Sequence, residues 1–255
     1  MSPAPRRPAL TDVTLVAVTS VALQPTVDAL RASVQQADFG KVLLLSDRRP
    51  PDLNDGIEWR QIDRLDSRAD YSRFMLRELV GHVGTSHALC VQWDGFVVNG
   101  EAWDPHFLEY DYIGAVWPHF NDAHNVGNGG FSLRSRRLLE ACTRLPPVGG
   151  EAEDMVISRS YRPWLEGQGI RFAPGEIARN FAYERTEPTG TELGFHGAFN
   201  LMRHVTSGEM LWLFKSLEPH ILTRGEHWEI FARALRRGQL ALASAVLKRL
   251  ISRML

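Results

Sequence analysis

The sequence lacks several features that mark broad classes of protein. Lys and Arg total 29 against 30 Asp and Glu, so the chain lacks the excess of positive charge with which nucleic-acid-binding proteins hold phosphates. It has two cysteines, Cys90 and Cys142, and their spacing fits neither a metal site nor a redox pair. No segment approaches the roughly 18 consecutive apolar residues of a membrane span. We therefore expect a cytoplasmic protein in a reducing compartment, with no nucleic-acid partner.

The chain is long enough to bury a full core without disulfides or metal ions. Its 255 residues contain no internal repeat and no low-complexity segment. The first ten residues, MSPAPRRPAL, include two arginines and three prolines, and no apolar segment typical of a signal peptide follows them. The sequence predicts a flexible tail at 1–12, one main domain at 13–204, and a helical C-terminal extension at 205–255 that packs on this domain.

Two short apolar segments near the start are typical of buried parallel strands. They are VTLVAVTS (13–20) and KVLLLSD (41–47), and both end in small polar residues. The segment 25–37 between them has helical spacing and a proline suited to a first turn. This β-α-β order predicts an α/β sheet that binds ligands at the carboxyl ends of its strands. At that edge we expect Thr19, Ser20 and Asp47.

The next segments continue the alternation of strands and helices. IEWRQI (57–62) predicts a third strand, and DYSRFMLRELVGHV (70–83) predicts a helix. The apolar face of this helix contains Tyr71, Phe74, Met75, Leu79 and Val83. The apolar run that starts at 87 ends in QWDG, which places Gln92 and Asp94 at the end of a strand. Aspartate beside glycine is also typical of a plain turn.

A glycine-rich turn and an acidic pair follow. In VGNGGFSLRS (126–135), the glycines permit close approaches that a Cβ atom would block, and Asn128 tolerates a left-handed backbone. FSLRS predicts a strand. The pair Glu153 and Asp154 starts a helical pattern that continues to Gly167. Carboxylates are also common in a first helical turn because they suit the helix dipole, so capping is a second interpretation of this pair.

The last segment is helical in composition and basic. From Arg224 onward it has seven basic and two acidic residues. Such segments usually pack on the domain as amphipathic helices. A basic amphipathic helix also suits a membrane surface, so peripheral membrane contact at the inner face of the membrane is an alternative.

Taken in order, these strings resemble the GT-A class of nucleotide-sugar glycosyltransferases. QWDGF, YDYIGA, VGNGGFSLRS and GFHG are similar to the hallmark strings of a poorly characterised microbial family with GT-A features. The resemblance covers residues 12–200. It implies a GT-A-like domain with a mixed, mainly parallel sheet flanked by helices. It also implies an enzyme that moves a sugar from a nucleotide-sugar donor, UDP-sugar first among them, to a hydroxyl of a glycan or glycolipid.

The resemblance implies a divalent cation, Mn²⁺ or Mg²⁺, that holds the diphosphate of the donor. In GT-A enzymes two carboxylates at the end of a central strand bind this cation. Asp94 matches the second carboxylate, and His196 matches a late histidine that binds metal or phosphate. Gln92 replaces the first carboxylate, so the site would rest on one aspartate. Such cations take oxygen ligands, and substrate phosphates can complete the shell.

The resemblance also implies donor, sugar and catalytic residues. The donor residues would be Thr19, Ser20, Asp47, Tyr71, Arg73, Gln92, Trp93 and Asp94. The sugar and acceptor residues would be Asn128, Gly129, Gly130, Phe131 and Trp117, with Trp93 and Trp103 as further stacking candidates. Asp154 matches the general base of inverting GT-A enzymes, which takes the proton of the attacking hydroxyl. Glu153 is the nearest alternative.

Two other functions fit parts of the pattern. A sugar nucleotidyltransferase shares the α/β core and the cation, but VTSVALQPT lacks the glycine-rich basic loop that handles a triphosphate. A non-catalytic sugar- or nucleotide-binding protein of the same fold is supported by the neutral Gln92. The presence of Asp94, Asp154 and His196 together favours the transferase.

Overall fold

The computed structural model of the protein describes residues 7–53, 56–147 and 149–252. The chain divides into two compact units, Met1–His196 and Gly197–Leu255. Of the predicted tail at 1–12, residues 1–6 lie outside the described residues, and residues 9–12 begin the first strand.

The first unit contains ten strands and six α-helices among its described residues. The strands are β1 (Ala9–Thr19), β2 (Asp38–Ser46), β3 (Glu58–Gln61), β4 (His87–Val91), β5 (Tyr112–Ile113), β6 (Ala115–Val116), β7 (Val126–Gly127), β8 (Phe131–Ser135), β9 (Ala182–Tyr183) and β10 (Gly194–Phe195). The helices are α1 (Leu23–Gln36), α2 (Arg68–Arg77), α3 (Arg136–Cys142), α4 (Glu153–Met155), α5 (Arg162–Gly167) and α6 (Gly175–Phe181).

Six of these strands form one sheet in the order β3-β2-β1-β4-β8-β5. The strands β3, β2, β1 and β4 run parallel, and β8 pairs antiparallel with both β4 and β5. The predicted β-α-β opening is confirmed, since β1 and β2 are parallel neighbours joined by α1. The predicted class, a mixed and mainly parallel sheet flanked by helices, is also confirmed.

The central strands are buried on both faces, because neighbouring residues of a strand point to opposite sides. On one side, Leu15 and Ala17 of β1 belong to a core cluster that includes Val27 and Leu30 of α1. On the other side, alternate residues of β1, β2 and β4 pack against α2. This second cluster includes Val16, Val18, Leu43, Leu45, Cys90, Phe74 and Met75.

Two predicted helices are shorter than expected. The helix predicted at 70–83 ends at Arg77, although its apolar residues still share one cluster through a short 3₁₀ turn at Leu79–Gly81. The helix predicted from the acidic pair to Gly167 is interrupted by a π-helical turn at Val156–Ser160. Pro163 lies in the first turn of α5, a position where its missing amide hydrogen is tolerated, and it therefore favours a new helix start after Tyr161.

The second unit is helical. Its helices are α7 (Ala198–Leu201), α8 (Ser207–Ser216), α9 (Arg224–Arg236) and α10 (Leu240–Ser252). Capping boxes begin α8 and α9, where Thr206 pairs with Glu209 and Thr223 pairs with Glu226. Among the described helices, none has the length and apolar content that crossing a bilayer requires.

Candidate active site

The carboxyl ends of three parallel strands meet at one edge of the main sheet. In register, Thr19 of β1 lies beside Ser46 of β2, and Ala17 lies beside Val91 of β4. The polar residues at or directly after these strand ends therefore share that edge. They are Thr19, Ser20, Asp47 and Gln92.

The segment QWDG forms a tight turn after β4. The Gly95 amide donates to the Gln92 carbonyl at 3.1 Å. The Gln92 side chain is held as well, since its Nε2 donates to the Tyr71 hydroxyl of α2 at 2.9 Å. Asp94 is only 4% exposed. The turn thus presents one buried carboxylate, with a neutral amide where a first carboxylate would otherwise stand.

Asp94 belongs to a row of three polar side chains, which we call the histidine cluster: Asp94, His196 and Glu184. His196 Nε2 lies 3.4 Å from Asp94 Oδ1, and His196 Nδ1 lies 3.2 Å from Glu184 Oε1. His196 and Glu184 meet because they follow Phe195 and Tyr183, which are paired in the parallel strands β10 and β9. Sequence reasoning missed Glu184, because only this pairing brings it to the histidine.

The two carboxylates control the charge of His196. Burial lowers the pKa of His196, but the charges of Asp94 and Glu184 outweigh burial and raise the pKa well above its usual value. Burial in turn raises the pKa of Glu184, but the hydrogen bond and charge of His196 outweigh it and lower the pKa. The two carboxylates therefore make the His196 imidazole hold a proton more tightly than an ordinary histidine does.

The glycine turn between β7 and β8 packs directly against functional side chains. Asn128 adopts a left-handed backbone with φ of 87°, and its Oδ1 accepts a hydrogen bond from the Gly130 amide at 2.8 Å. A Cβ atom on Gly130 would stand 2.0 Å from His196 Nε2, and one on Gly129 would stand 2.1 Å from Glu153 Oε1. The two glycines thus provide the space that the imidazole and the carboxylate occupy.

We expect Gly130→Ala to destabilise the protein by about 1–3 kcal/mol, the usual cost of overpacking. The added methyl group must displace the His196 ring, whose two nitrogens face Asp94 and Glu184. Urea denaturation measures the free energy of unfolding. Gly84→Ala is the matched control, because a Cβ atom there meets nothing within 4 Å. Equal stabilities for the two variants would contradict the assigned packing.

Asp154 is tied to the same glycine turn. Its Oδ2 accepts a hydrogen bond from the Gly129 amide at 3.0 Å, and its Oδ1 accepts one from the Met155 amide at 2.8 Å. Burial, followed by the negative charge of Glu153, raises the pKa of Asp154 to about 6. The N-cap of α4 is Ala152, and both Glu153 and Asp154 lie in its first turn, so the hydrogen bond from the Met155 amide also fits the capping interpretation. The weakly acidic carboxylate of Asp154 is therefore hydrogen-bonded to Gly129, the residue that precedes Gly130.

Glu153 points into the protein and is paired with Arg134. Arg134 Nη2 lies 3.1 Å from Glu153 Oε1, and the two side chains are 0% and 6% exposed. Arg134 also donates to the Ser132 hydroxyl at 3.0 Å and to the Gly129 carbonyl at 3.4 Å. Sequence reasoning missed Arg134, although an arginine inside the apolar strand FSLRS signals a buried charge that needs a carboxylate partner.

Among the other predicted site residues, Thr19 and Ser20 have structural partners. The Thr19 hydroxyl accepts a hydrogen bond from the Ala22 amide at 3.2 Å, and the Ser20 hydroxyl accepts one from the Leu65 amide at 3.0 Å. Asp47 is half-buried, and its Oδ1 accepts no hydrogen bond from the residues that the structure describes.

The aromatic candidates are mostly held in the core. Trp117 is buried, covers Gly127 and hydrogen-bonds to Glu184, which makes it a support for the histidine cluster. Phe131 is fully buried and belongs to the core cluster on the α1 side of the sheet. Trp93 and Trp103 are half-buried. Arg73 is exposed and pairs with Asp70 of its own helix at 3.2 Å.

Asp94 offers an oxygen, and His196 offers an imidazole nitrogen once its Nε2 proton is released. Mn²⁺ and related cations accept both kinds of ligand. Asp94 Oδ1 is buried and accepts no properly oriented hydrogen bond within the described residues, so it can serve as a ligand. Among all residues that the structure describes, no group of three or more His, Cys, Asp or Glu side chains has metal-binding geometry. The pair therefore fits a cation whose remaining ligands are phosphate oxygens or water.

The model of one protein family, described as "Protein of unknown function (DUF5672)", matches residues 57–196, more than half of the 255-residue chain. No curated protein matches the chain.

Solved structures similar to this one include glycosyltransferases. A mannosyltransferase, PcManGT from Pyrobaculum calidifontis, in complex with GDP-Man and Mn²⁺, has a TM-score of 0.46 and 13% identity, over 94% of this chain and 74% of that chain. The apo form of GlyE from Streptococcus pneumoniae TIGR4 has a TM-score of 0.43 and 11% identity, over 72% and 54% of the two chains. A glycosyltransferase involved in glycosylation of the major capsid of PBCV-1 has a TM-score of 0.45 and 11% identity, over 72% and 92%.

Proposed function

Because the chain belongs to the DUF5672 family of proteins of unknown function, we propose its activity from its own site: transfer of a sugar, with inversion, from a nucleotide-sugar donor to a hydroxyl acceptor. One observation carries the proposal. Gly129 donates to Asp154, and the next residue, Gly130, packs against His196 of the histidine cluster. Asp154, a proton acceptor, and the histidine cluster, which suits a donor's phosphates, therefore contact adjacent glycines of one turn.

Asp154 has the properties of a general base. A hydroxyl that attacks the anomeric carbon must lose its proton, and a base is most effective when its pKa lies near the working pH. With a pKa of about 6, Asp154 is mostly ionised at neutral pH and more basic than an ordinary aspartate. The amides of Gly129 and Met155 fix the direction of its carboxylate.

Glu153 is less suited to this role. Its carboxylate is buried and paired with Arg134, so taking a proton from an acceptor would break a buried ion pair and leave the guanidinium without its partner. Glu153 contributes indirectly, because its negative charge helps to raise the pKa of Asp154. We therefore assign the base to Asp154.

The histidine cluster would serve the donor. Asp94 and His196 would hold a divalent cation, which would supply a Lewis acid for the charge on the leaving nucleoside diphosphate. Glu184 holds the His196 ring through Nδ1 and leaves Nε2 on the Asp94 side, an arrangement typical of histidine ligands. The strand ends with Thr19, Ser20 and Asp47 would hold the nucleoside, with UDP as the first nucleotide to test.

We expect Asp94→Ala to weaken Mn²⁺-dependent binding of UDP by about 10- to 100-fold, the range found when groups around a bound metal are removed. The variant loses the buried anionic ligand of the turn, while binding in EDTA stays as weak as in the wild type. Calorimetry with UDP in Mn²⁺ and in EDTA measures both states. Asp66→Ala, at an exposed aspartate of the same unit, is the control. Equal affinities for both proteins in both conditions would remove the cation from this proposal.

A binding protein without turnover is the second candidate, because Gln92 is neutral and its amide is engaged by Tyr71. A panel of UDP-, GDP- and dTDP-sugars with Mn²⁺ distinguishes the two. A bound donor raises the melting temperature by mass action, and release of the nucleoside diphosphate then reports turnover. A thermal shift without release favours the binding protein, and no shift with any donor rejects both candidates.

A further inference from the structure

The second unit carries most of the large apolar side chains that the described chain exposes. Eight such side chains are exposed in the described residues, and only Val21 and Trp164 belong to the first unit. The six in the second unit are Trp212, Trp228, Leu235, Leu240, Leu247 and Ile251. Single exposed apolar residues are ordinary, but a concentration of them in one small unit is typical of an interaction surface.

Three of these side chains form a line on α10, which we call the outer stripe: Leu240, Leu247 and Ile251. They are 69%, 38% and 50% exposed, and their spacing of seven and four residues places them on one helical face. A different face of α10 is buried and consists of Leu242, Ala243, Val246 and Leu250. The helix is therefore apolar on two faces, and the outer stripe is the exposed one.

The surroundings of the outer stripe are basic. From Ile230 to Leu255 the sequence contains six Lys and Arg and no Asp or Glu. Lys248 is exposed next to Leu247, and Arg236 is exposed at the end of α9. The four acidic residues of the unit, Glu209, Glu218, Glu226 and Glu229, all precede this range, and Glu209 and Glu226 are held in the capping boxes of α8 and α9. This distribution of charge favours an anionic partner.

We propose that the outer stripe binds the surface of a membrane rich in anionic lipids. Its three aliphatic side chains enter the boundary between headgroups and acyl chains, while Lys248 and Arg236 meet the lipid phosphates. The exposed Trp212 and Trp228 are of the residue type enriched at this boundary. A second copy of the chain would also cover the stripe, but pairing would bring basic surfaces together. The inference stands apart from the proposed reaction, because it concerns only the second unit.

Charge substitutions on the stripe test this proposal better than removal of the helix, because α10 also contributes buried residues to its unit. We expect wild-type protein to sediment with vesicles of phosphatidylglycerol and phosphatidylcholine, less with phosphatidylcholine alone, and less as salt rises. Leu247→Glu and Ile251→Glu should each lower the partition coefficient about tenfold or more. Lys248→Glu should lower it on the anionic vesicles alone.

The matched control is Trp164→Glu, at an exposed apolar residue of the first unit, and it should bind vesicles as the wild type does. Thermal melting checks that each variant is folded. Equal partitioning of the wild type and both stripe variants would overturn the proposal. A wild type that is dimeric by light scattering, does not bind vesicles, and becomes monomeric with Leu247→Glu would show instead that the stripe joins two copies, which also overturns it.

Discussion

Asp154→Asn should lower turnover by about 10²- to 10⁴-fold, the contribution of a positioned general base. The substitution keeps the size of the side chain and removes its basicity. Donor binding should stay near the wild-type value, because Asp154 lies on the Gly129 side of the turn and does not belong to the histidine cluster. Turnover is measured as release of the nucleoside diphosphate, and binding is measured by calorimetry.

The pH dependence of turnover tests the same assignment. Burial and the charge of Glu153 raise the pKa of Asp154 to about 6, and only the ionised carboxylate accepts a proton. Turnover should therefore fall about tenfold per pH unit below pH 6 in the wild type, and this limb should be absent in Asp154→Asn. The folded chain binds this proton more tightly than the unfolded chain, so its contribution to stability is lost as pH rises from about 4 to 6.

The control for Asp154→Asn is Asp104→Asn. Asp104 is a half-buried capping residue whose Oδ1 accepts a hydrogen bond from the His106 amide at 2.9 Å, and asparagine caps about as well as aspartate. At position 154, asparagine can satisfy only one of the two amides, so a loss of about 1 kcal/mol of stability is expected. Turnover near the wild-type value would reject the base. A product that keeps the anomeric configuration of the donor would reject direct inversion.

Arg134→Met should destabilise the protein by about 3–5 kcal/mol, since it leaves a buried carboxylate unpaired. Both Arg134 and Glu153 are almost fully buried, and methionine replaces none of the three hydrogen bonds to Ser132, Gly129 and Glu153. The free energy of unfolding in urea gives the size of the effect. It is the largest stability effect that we expect from a single substitution in the site.

The double variant Arg134→Met with Glu153→Leu should recover much of this loss, because no charge then remains buried without a partner. Arg64→Met is the control, at an ion pair with Asp66 in which both side chains are exposed, and such pairs contribute only about 0–1 kcal/mol. Additive losses in the double variant would show that Arg134 and Glu153 do not act as a pair.

The sequence predicts the sheet edge and its polar residues because strands and their ends leave a local pattern. Thr19, Asp47 and Gln92 could be placed at one edge from the order of strands and helices alone. The glycine turn and the acidic pair were also visible as local strings. The sequence could not predict why glycine is needed at 129 and 130, because these residues contact Glu153 and His196, which come from distant parts of the chain.

The remaining parts of the site depend on tertiary contacts without a local signature. Glu184 reaches His196 only through the short pairing of β9 with β10. The interruption near Tyr161 reflects a backbone bond from its amide to the Val156 carbonyl, which helical periodicity alone does not predict. Arg134 is the exception, because its position inside a buried strand was a usable signal that a partner had to exist.

The glycine turn limits how this sequence can diverge. The side chain of His196 fills the space that a Cβ atom on Gly130 would need, and Glu153 does the same at Gly129. The effect of a substitution at one residue of each pair therefore depends on the residue at the other. A larger residue at 130 becomes acceptable only after the imidazole at 196 has been replaced by something smaller. In divergent relatives, we therefore expect a residue larger than glycine at the position of Gly130 to occur together with replacement of the histidine at the position of His196.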